Sequence, residues 1–223
     1  MNSLVNSINV TGARTDSMSA ILKVDNLTCA FNENELFQGI SFDLVPGDVL
    51  QVFGANGSGK TTLLRILCGL KRPDEGCIYW QDKDVRDLES EYFENLAFIG
   101  HLSGIKSGLT VSENLEQQCV LAGTASTCER RNVLERIGLA YYATTPAAHL
   151  STGQRRRLAL ARLLVGEARI WLLDEPYTSL DETGRLLVDE LLLKHSHGGG
   201  IAIIATHEPV GPEPLNPRSF TLA

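Results

Sequence analysis

The sequence predicts an α/β fold: a lobe built on a parallel sheet, an inserted helical lobe and a small antiparallel β layer. Three observations predict it. Strand-length apolar runs alternate with helical periodicity at both ends of the chain. A glycine-rich turn, Gly54 to Thr61, lies between an expected strand and an expected helix. The stretch from about residue 102 to Val165 reads as helical almost throughout.

The elements follow in order. Residues 1–19 are rich in Ser and Asn without hydrophobic periodicity, so a disordered extension is expected before a single domain over residues 20–223. That extension lacks the apolar core of a secretory signal and has a single Arg; Met18 is a second candidate start. Strands are expected at Ile21 to Leu27 and Ile40 to Leu44, followed by the turn Val45-Pro46-Gly47-Asp48. Asp48 to Phe53 reads as a buried strand. Lys60 to Leu70 reads as a helix, with Leu63, Ile66, Leu67 and Leu70 on one face. Short strands are expected at Cys77 to Trp80 and Leu96 to Ile99. Helices are expected at Val111 to Gly123, Cys128 to Ala140 and Arg155 to Val165. Ile170 to Leu173 is an unbroken apolar run of the kind found in central parallel strands. A helix from Glu182 to Lys194, the turn Gly198-Gly199-Gly200 and a strand from Ile201 to Ala205 complete the pattern.

Composition bounds the function. The 223 residues carry a net charge of −7, which leaves no electrostatic footprint for nucleic acid. No apolar stretch approaches the roughly 20 residues that span a bilayer. The five cysteines (Cys29, Cys68, Cys77, Cys119, Cys128) form no C-x-x-C pair and no zinc spacing, a scattered set that suits a reducing compartment.

Chemistry concentrates in two places. Gly54-Ala55-Asn56-Gly57-Ser58-Gly59-Lys60-Thr61 fits the phosphate-loop pattern G-x-x-x-x-G-K-[ST] at every fixed position. Its glycines let backbone N–H groups approach phosphate oxygens, and the helix N-terminus adds partial positive charge. Lys60 would reach the terminal phosphates. Thr61 would sit on Mg²⁺, with Thr62 donating nearby. Far along the chain, the apolar run at Ile170 ends in Asp174-Glu175, and acids at the carboxyl end of a buried strand are where open α/β sheets place chemistry. Asp174 is the expected Mg²⁺ partner and Glu175 the expected base for an attacking water. His207 follows the next buried strand and is a candidate third catalytic group.

Leu150-Ser151-Thr152-Gly153-Gln154 resembles the LSGGQ signature of the ATP-binding cassette (ABC) ATPases. With the phosphate loop upstream, the resemblance covers residues from about 20 onward. It implies a P-loop NTPase (RecA-like) lobe with an inserted helical lobe, that is, an ABC cassette with ATP and Mg²⁺ as cofactors. Ser151 and Gln154 also fit a capping box, and a helix N-terminus with free N–H groups attracts an anion. In the family that anion belongs to ATP on the other subunit, so Ser151, Gly153 and Gln154 would complete a neighbour's site in a homodimer. Thr178-Ser179-Leu180-Asp181 resembles the D-loop, and His207 the switch histidine. Phe31 lies where many cassettes stack an aromatic on adenine; it can equally pack inward. Arg155, Arg156 and Arg157 are either a solvated charged face or part of the interface.

A finer resemblance follows. Gly100-His101-Leu102-Ser103-Gly104-Ile105-Lys106, with Leu109-Thr110 and Glu113-Asn114-Leu115, looks like the haem-exporter ATPases of cytochrome c maturation; so does Leu36 to Phe42. The interval of about 90 residues between phosphate loop and signature has none of the sustained heptads of the chromosome and repair members. The resemblance implies separate integral-membrane partners and a peripheral place on the cytoplasmic face of the inner membrane. Gly100 to Leu115 would be the coupling surface. Another small-substrate exporter, or a soluble regulator of the same superfamily, stays open as an alternative. Two departures stand out. His101 occupies the place of the usual Q-loop glutamine and would add pH sensitivity. Thr152 replaces a signature glycine and adds a β-branch.

Overall fold

The computed structural model describes residues 19–222, apart from 32–33, 89, 127, 209 and 212–214. Residues 1–18, including Met18, lie outside the described residues, and so does most of the expected extension.

Two sheets organise the chain. In the antiparallel layer, β1 (Leu22–Phe31) and β2 (Asn34–Leu44) form a hairpin, and β4 (Glu75–Trp80) and the two-residue β5 (Lys83–Asp84) extend it in the order β2-β1-β4-β5. The parallel sheet has the order β6-β7-β8-β3-β9, from β6 (Leu96–Ile99), β7 (Ile170–Asp174), β8 (Ile201–Ala205), β3 (Val49–Gly54) and β9 (Arg218–Leu222). Its central strands β7 and β8 are buried at every residue, as their unbroken apolar runs require.

Period-2 alternation then divides the interior in two. Ile170, Leu172, Ile201 and Ile203 face one core, shared with the antiparallel layer and with Leu63, Leu64, Ile66 and Leu67 of α1 (Lys60–Leu67). Trp171, Leu173, Ala202 and Ile204 face the other. That second core takes in α3 (Val111–Leu121), α4 (Arg130–Arg136), α5 (Thr152–Leu160), α6 (Arg162–Val165) and α7 (Glu182–His197). The short α2 (Glu91–Glu94) precedes β6.

Several expectations are corrected. α1 ends at Leu67, because Gly69 (φ 74) closes a Schellman motif: Gly69 N–H donates to Ile66 O and Leu70 N–H to Arg65 O. Leu70 therefore leaves the buried face and is 70% exposed. α4 stops early for a similar reason, with Gly138 at φ 70 just past its end. The helix expected from Arg155 begins at Thr152 and breaks at Ala161, whose N–H bonds back only three residues, to Leu158 O. Two of the scattered cysteines are brought together: Cys119 of α3 pairs with Cys128, two residues before α4. Their Cα atoms lie 6.3 Å apart, within disulfide reach, at a separation that a C-x-x-C search passes over. Among the described residues no helix is long and apolar enough to cross a membrane.

Candidate active site

The site gathers at the carboxyl ends of β3, β7 and β8, neighbours in the parallel sheet. β3 runs into the glycine loop, β7 delivers Asp174 and Glu175, and β8 delivers His207 two residues past its end. A cleft of about 740 Å³ opens there. Gly54, Lys60, Thr61, His101, Glu175 and His207 are among its lining residues, together with Ala55, Asn56, Gly57, Gly59, Thr62 and Asp174.

The loop is a cradle for an anion. Gly57 and Gly59 hold φ of 89 and 96, a region that side chains disfavour. A Cβ on Gly54 would run into the Ser58 hydroxyl and the Leu222 carbonyl. Ser58, the loop residue absent from the cleft lining, has its Oγ buried against Gly54 without a hydrogen-bond partner among the described residues. Lys60 is buried, and its Nζ donates to the carbonyls of Gly54 (2.6 Å) and Ala55 (3.0 Å). An ammonium held in the loop by neutral acceptors is placed for phosphate charge.

Two parts of the chain 113 residues apart meet across this cradle. Thr61 Oγ1 donates to Asp174 Oδ2 at 2.9 Å. A hydroxyl beside a buried carboxylate is a hard-oxygen pair that suits Mg²⁺, which takes few protein ligands and shares the rest of its shell with phosphate and water. Glu175 stands next to it with φ 50, a left-handed conformation that is costly for a residue with a Cβ. Glu175 Oε2 lies 3.0 Å from His207 Nδ1, so the two candidate catalytic groups touch. His207 is itself 63% exposed. His101 lines this cleft and also a smaller neighbouring one shared with Thr152, Arg155, Glu175 and Ser179.

Ser151, Gly153, Gln154 and Asp181 are not among the residues lining the phosphate cleft. Ser151 and Gln154 form the expected capping box: Ser151 Oγ accepts from Gln154 N–H (3.1 Å) and Gln154 Oε1 from Ser151 N–H (2.9 Å). Gly153 is needed for packing, since a Cβ there would sit 2.7 Å from the Ser179 carbonyl. Asp181 caps α7 by accepting from Gly184 N–H, and its other oxygen pairs with Arg157 at 2.6 Å. These two contacts, the cap first, hold its carboxyl below the usual aspartate range. Phe31 closes β1, and its side chain lies outside the described residues.

The arginine run resolves into three separate roles. Arg155 donates to the Leu150 carbonyl and Arg157 pairs with Asp181. Arg156 belongs to neither a solvated face nor an exposed interface: it is buried, beneath the Asp174–Glu175 backbone. Burial pulls its guanidinium below the ordinary arginine value, and the charges of Asp174 and Glu175 act in the opposite sense. Sequence reasoning missed it because a charge run gives no sign of which member turns inward.

The family model described as ABC transporter matches residues 37–178. The chain belongs to this ABC transporter family. The chain is accordingly an ABC-type ATPase, and its fold, an ABC cassette, is as the sequence predicts. The "Cytochrome c biogenesis ATP-binding export protein CcmA" of Nitrosomonas europaea is 46% identical over 84% of this chain and 89% of its own length. The protein of the same name from Yersinia pestis is 41% identical over 91% of this chain and 93% of its own. Among solved structures, a bacterial ABC transporter cassette determined as a dimer aligns with a TM-score of 0.72 and 26% identity, covering 84% of this chain and 88% of that one.

Proposed function

We propose that this ABC ATPase is the energy-supplying subunit of a membrane export complex in c-type cytochrome biogenesis, with haem as the cargo handled by the complex. The observation that carries the reading is the likeness, over about nine-tenths of their length, to relatives named for cytochrome c biogenesis and export. The run Gly100 to Lys106 agrees with it.

The chemistry is ATP + H₂O → ADP + phosphate. The glycine loop and Lys60 hold the phosphates. Thr61 and Asp174 would hold Mg²⁺, which supplies charge neutralisation at the β- and γ-oxygens. Glu175 accepts the proton of the attacking water, and His207 beside it orients that carboxylate and the phosphate. His101 reaches the same cleft from the end of β6. Ser151, Gly153 and Gln154 serve the nucleotide of a second copy, in keeping with their place away from this chain's own cleft. Residues from about 102 to 165 form a helical lobe that closes against the rest as two copies meet. The membrane subunits dock on the cytoplasmic face. Leu102, 86% exposed on the segment that follows His101, belongs to that coupling surface.

Two substitutions test the proposal. Lys60→Ala weakens nucleotide binding about ten- to a hundredfold, as loss of a charge-assisted phosphate contact costs roughly 1.5–3 kcal/mol. Glu175→Gln keeps ATP affinity and lowers turnover by at least about a hundredfold. In cells lacking the native gene, the unaltered chain restores covalent haem attachment to c-type cytochromes and Glu175→Gln does not. Normal turnover by Glu175→Gln would remove Glu175 as the base. Normal cytochrome c in the deletion strain would move the chain to a different exporter.

A further inference from the structure

The middle arginine of the run after the signature connects parts of the site that the proposed chemistry leaves unconnected. Arg156 is 7% exposed. Its Nη2 donates to the carbonyls of Asp174 (2.7 Å) and Glu175 (2.8 Å), and its Nη1 to the carbonyl of Gly100 (2.9 Å). Its Nε points to the Pro176 carbonyl at 3.5 Å. Every one of these acceptors is backbone. The guanidinium is therefore used for its fork of five donors in fixed directions, as a brace for main chain.

What it braces matters. Glu175 adopts φ 50, a conformation that persists only where the surroundings over-determine it. Its N–H is fixed by the Ala205 carbonyl on β8, and its own carbonyl is fixed by Arg156. Gly100 is the residue before His101, so the same guanidinium also holds the peptide that aims His101. The brace is mounted on α5, two residues beyond Gln154 of the signature. A shift of α5 relative to the sheet cannot occur without loading the backbone of Glu175 and His101 together.

We infer that Arg156 is a positioning residue for the hydrolytic step: a buried guanidinium brace that sets the Glu175 and His101 backbones and links them to the movement of the signature helix. It touches no reacting atom. The inference rests on the ATPase reading. A lysine keeps charge and reach but cannot serve three separated carbonyls in one plane. An alanine removes the guanidinium from the Gly100 and Asp174 carbonyls and leaves the Glu175 carbonyl with only the longer bond from the Thr178 N–H (3.2 Å).

The test uses the purified full-length chain and the variants Arg156→Lys and Arg156→Ala. Folded fraction is followed by thermal melting, ATP affinity by equilibrium binding, and turnover by phosphate release, with kcat and KM resolved. Both variants are expected to bind ATP within about twofold of the unaltered chain, while kcat falls roughly ten- to a hundredfold at nearly constant KM. Guanidinium ion at millimolar concentration, and not ammonium, is expected to return part of the lost kcat to Arg156→Ala, which a merely structural role would not produce. Should Arg156→Ala fail to fold, Arg156→Lys decides alone. Full kcat in Arg156→Lys, or a loss that only tracks the unfolded fraction, overturns the inference. An unaltered chain that binds ATP without splitting it faults instead the ATPase reading, and the inference falls with it.

Discussion

At the scale of single residues, burial decides what a titratable group does. His195 stacks on Trp171, with ring centroids 3.7 Å apart and planes 9° from parallel, and its Nε2 contacts the Ile201 carbonyl at 3.1 Å. Desolvation lowers its pKa from the ordinary histidine value, against smaller opposing effects from the Ile201 and Arg169 backbone. The native imidazole thus stays neutral where an unfolded chain takes up a proton, near pH 6.5. The unfolded state then binds more protons, so stability is lost as pH falls below that value and is unaffected well above it. Melting temperature is expected to drop between pH 7 and pH 5.5, and to drop less steeply in His195→Phe, which keeps the ring stack. At pH 8 that variant pays only for the lost hydrogen bond, about 1 kcal/mol. Equal slopes in the two proteins would show that His195 is not the linked group. The same sensitivity to surroundings limits what a sequence reveals. Lys60 and Thr61 are legible because a contiguous loop surrounds them, whereas Arg156 takes its meaning from carbonyls at the end of β7 and just past the end of β6.

At the scale of elements, helix starts are written locally and strand partners are not. The capping boxes of α3 (Thr110 and Glu113) and α5 (Ser151 and Gln154) need only two residues spaced three apart. The strands leading to Gly54, Asp174 and His207 are legible as apolar runs. β9 is not: only Phe220 and Leu222 of its five residues are buried, and its partner β3 lies near the other end of the chain. The ends of α1 and α4 depend on Gly69 and Gly138 taking the left-handed conformation, which an apolar period does not register. The α5 start permits a sharp test, because a cap and an anion site make opposite demands on charge. Ser151→Asp keeps a side-chain acceptor for the Gln154 N–H, so stability in urea should change by less than about 0.5 kcal/mol. It also sets a carboxylate where a neighbour's phosphate is proposed to sit, so ATP turnover should fall at least about tenfold. Full turnover in Ser151→Asp would leave Ser151 as a helix cap and nothing more.

At the scale of the whole molecule, the signature borders the phosphate cleft without contributing its capping serine: a neighbouring cleft runs from His101 and Glu175 to Thr152 and Arg155, while Ser151, Gly153 and Gln154 line neither, and a two-copy assembly is the arrangement proposed to give them a nucleotide. The cleft holds the loop, Asp174, Glu175 and His207; Ser151, Gly153 and Gln154 lie outside its lining. If each site takes its loop from one copy and its signature from the other, two defective chains can repair each other. A Lys60→Ala chain has a spoiled loop and a sound signature. A Ser151→Arg chain has the reverse. Each alone should be inactive, since in a dimer of identical copies both sites carry one spoiled half. Mixed, they form dimers in which one site pairs the sound loop of one copy with the sound signature of the other, while the second site carries both defects. Hydrolysis should therefore reappear on mixing and rise to a maximum near equal amounts, with the excess of either chain suppressing it. Chains that complete their sites internally would give no activity at any ratio, and the shared-site arrangement would fail with them.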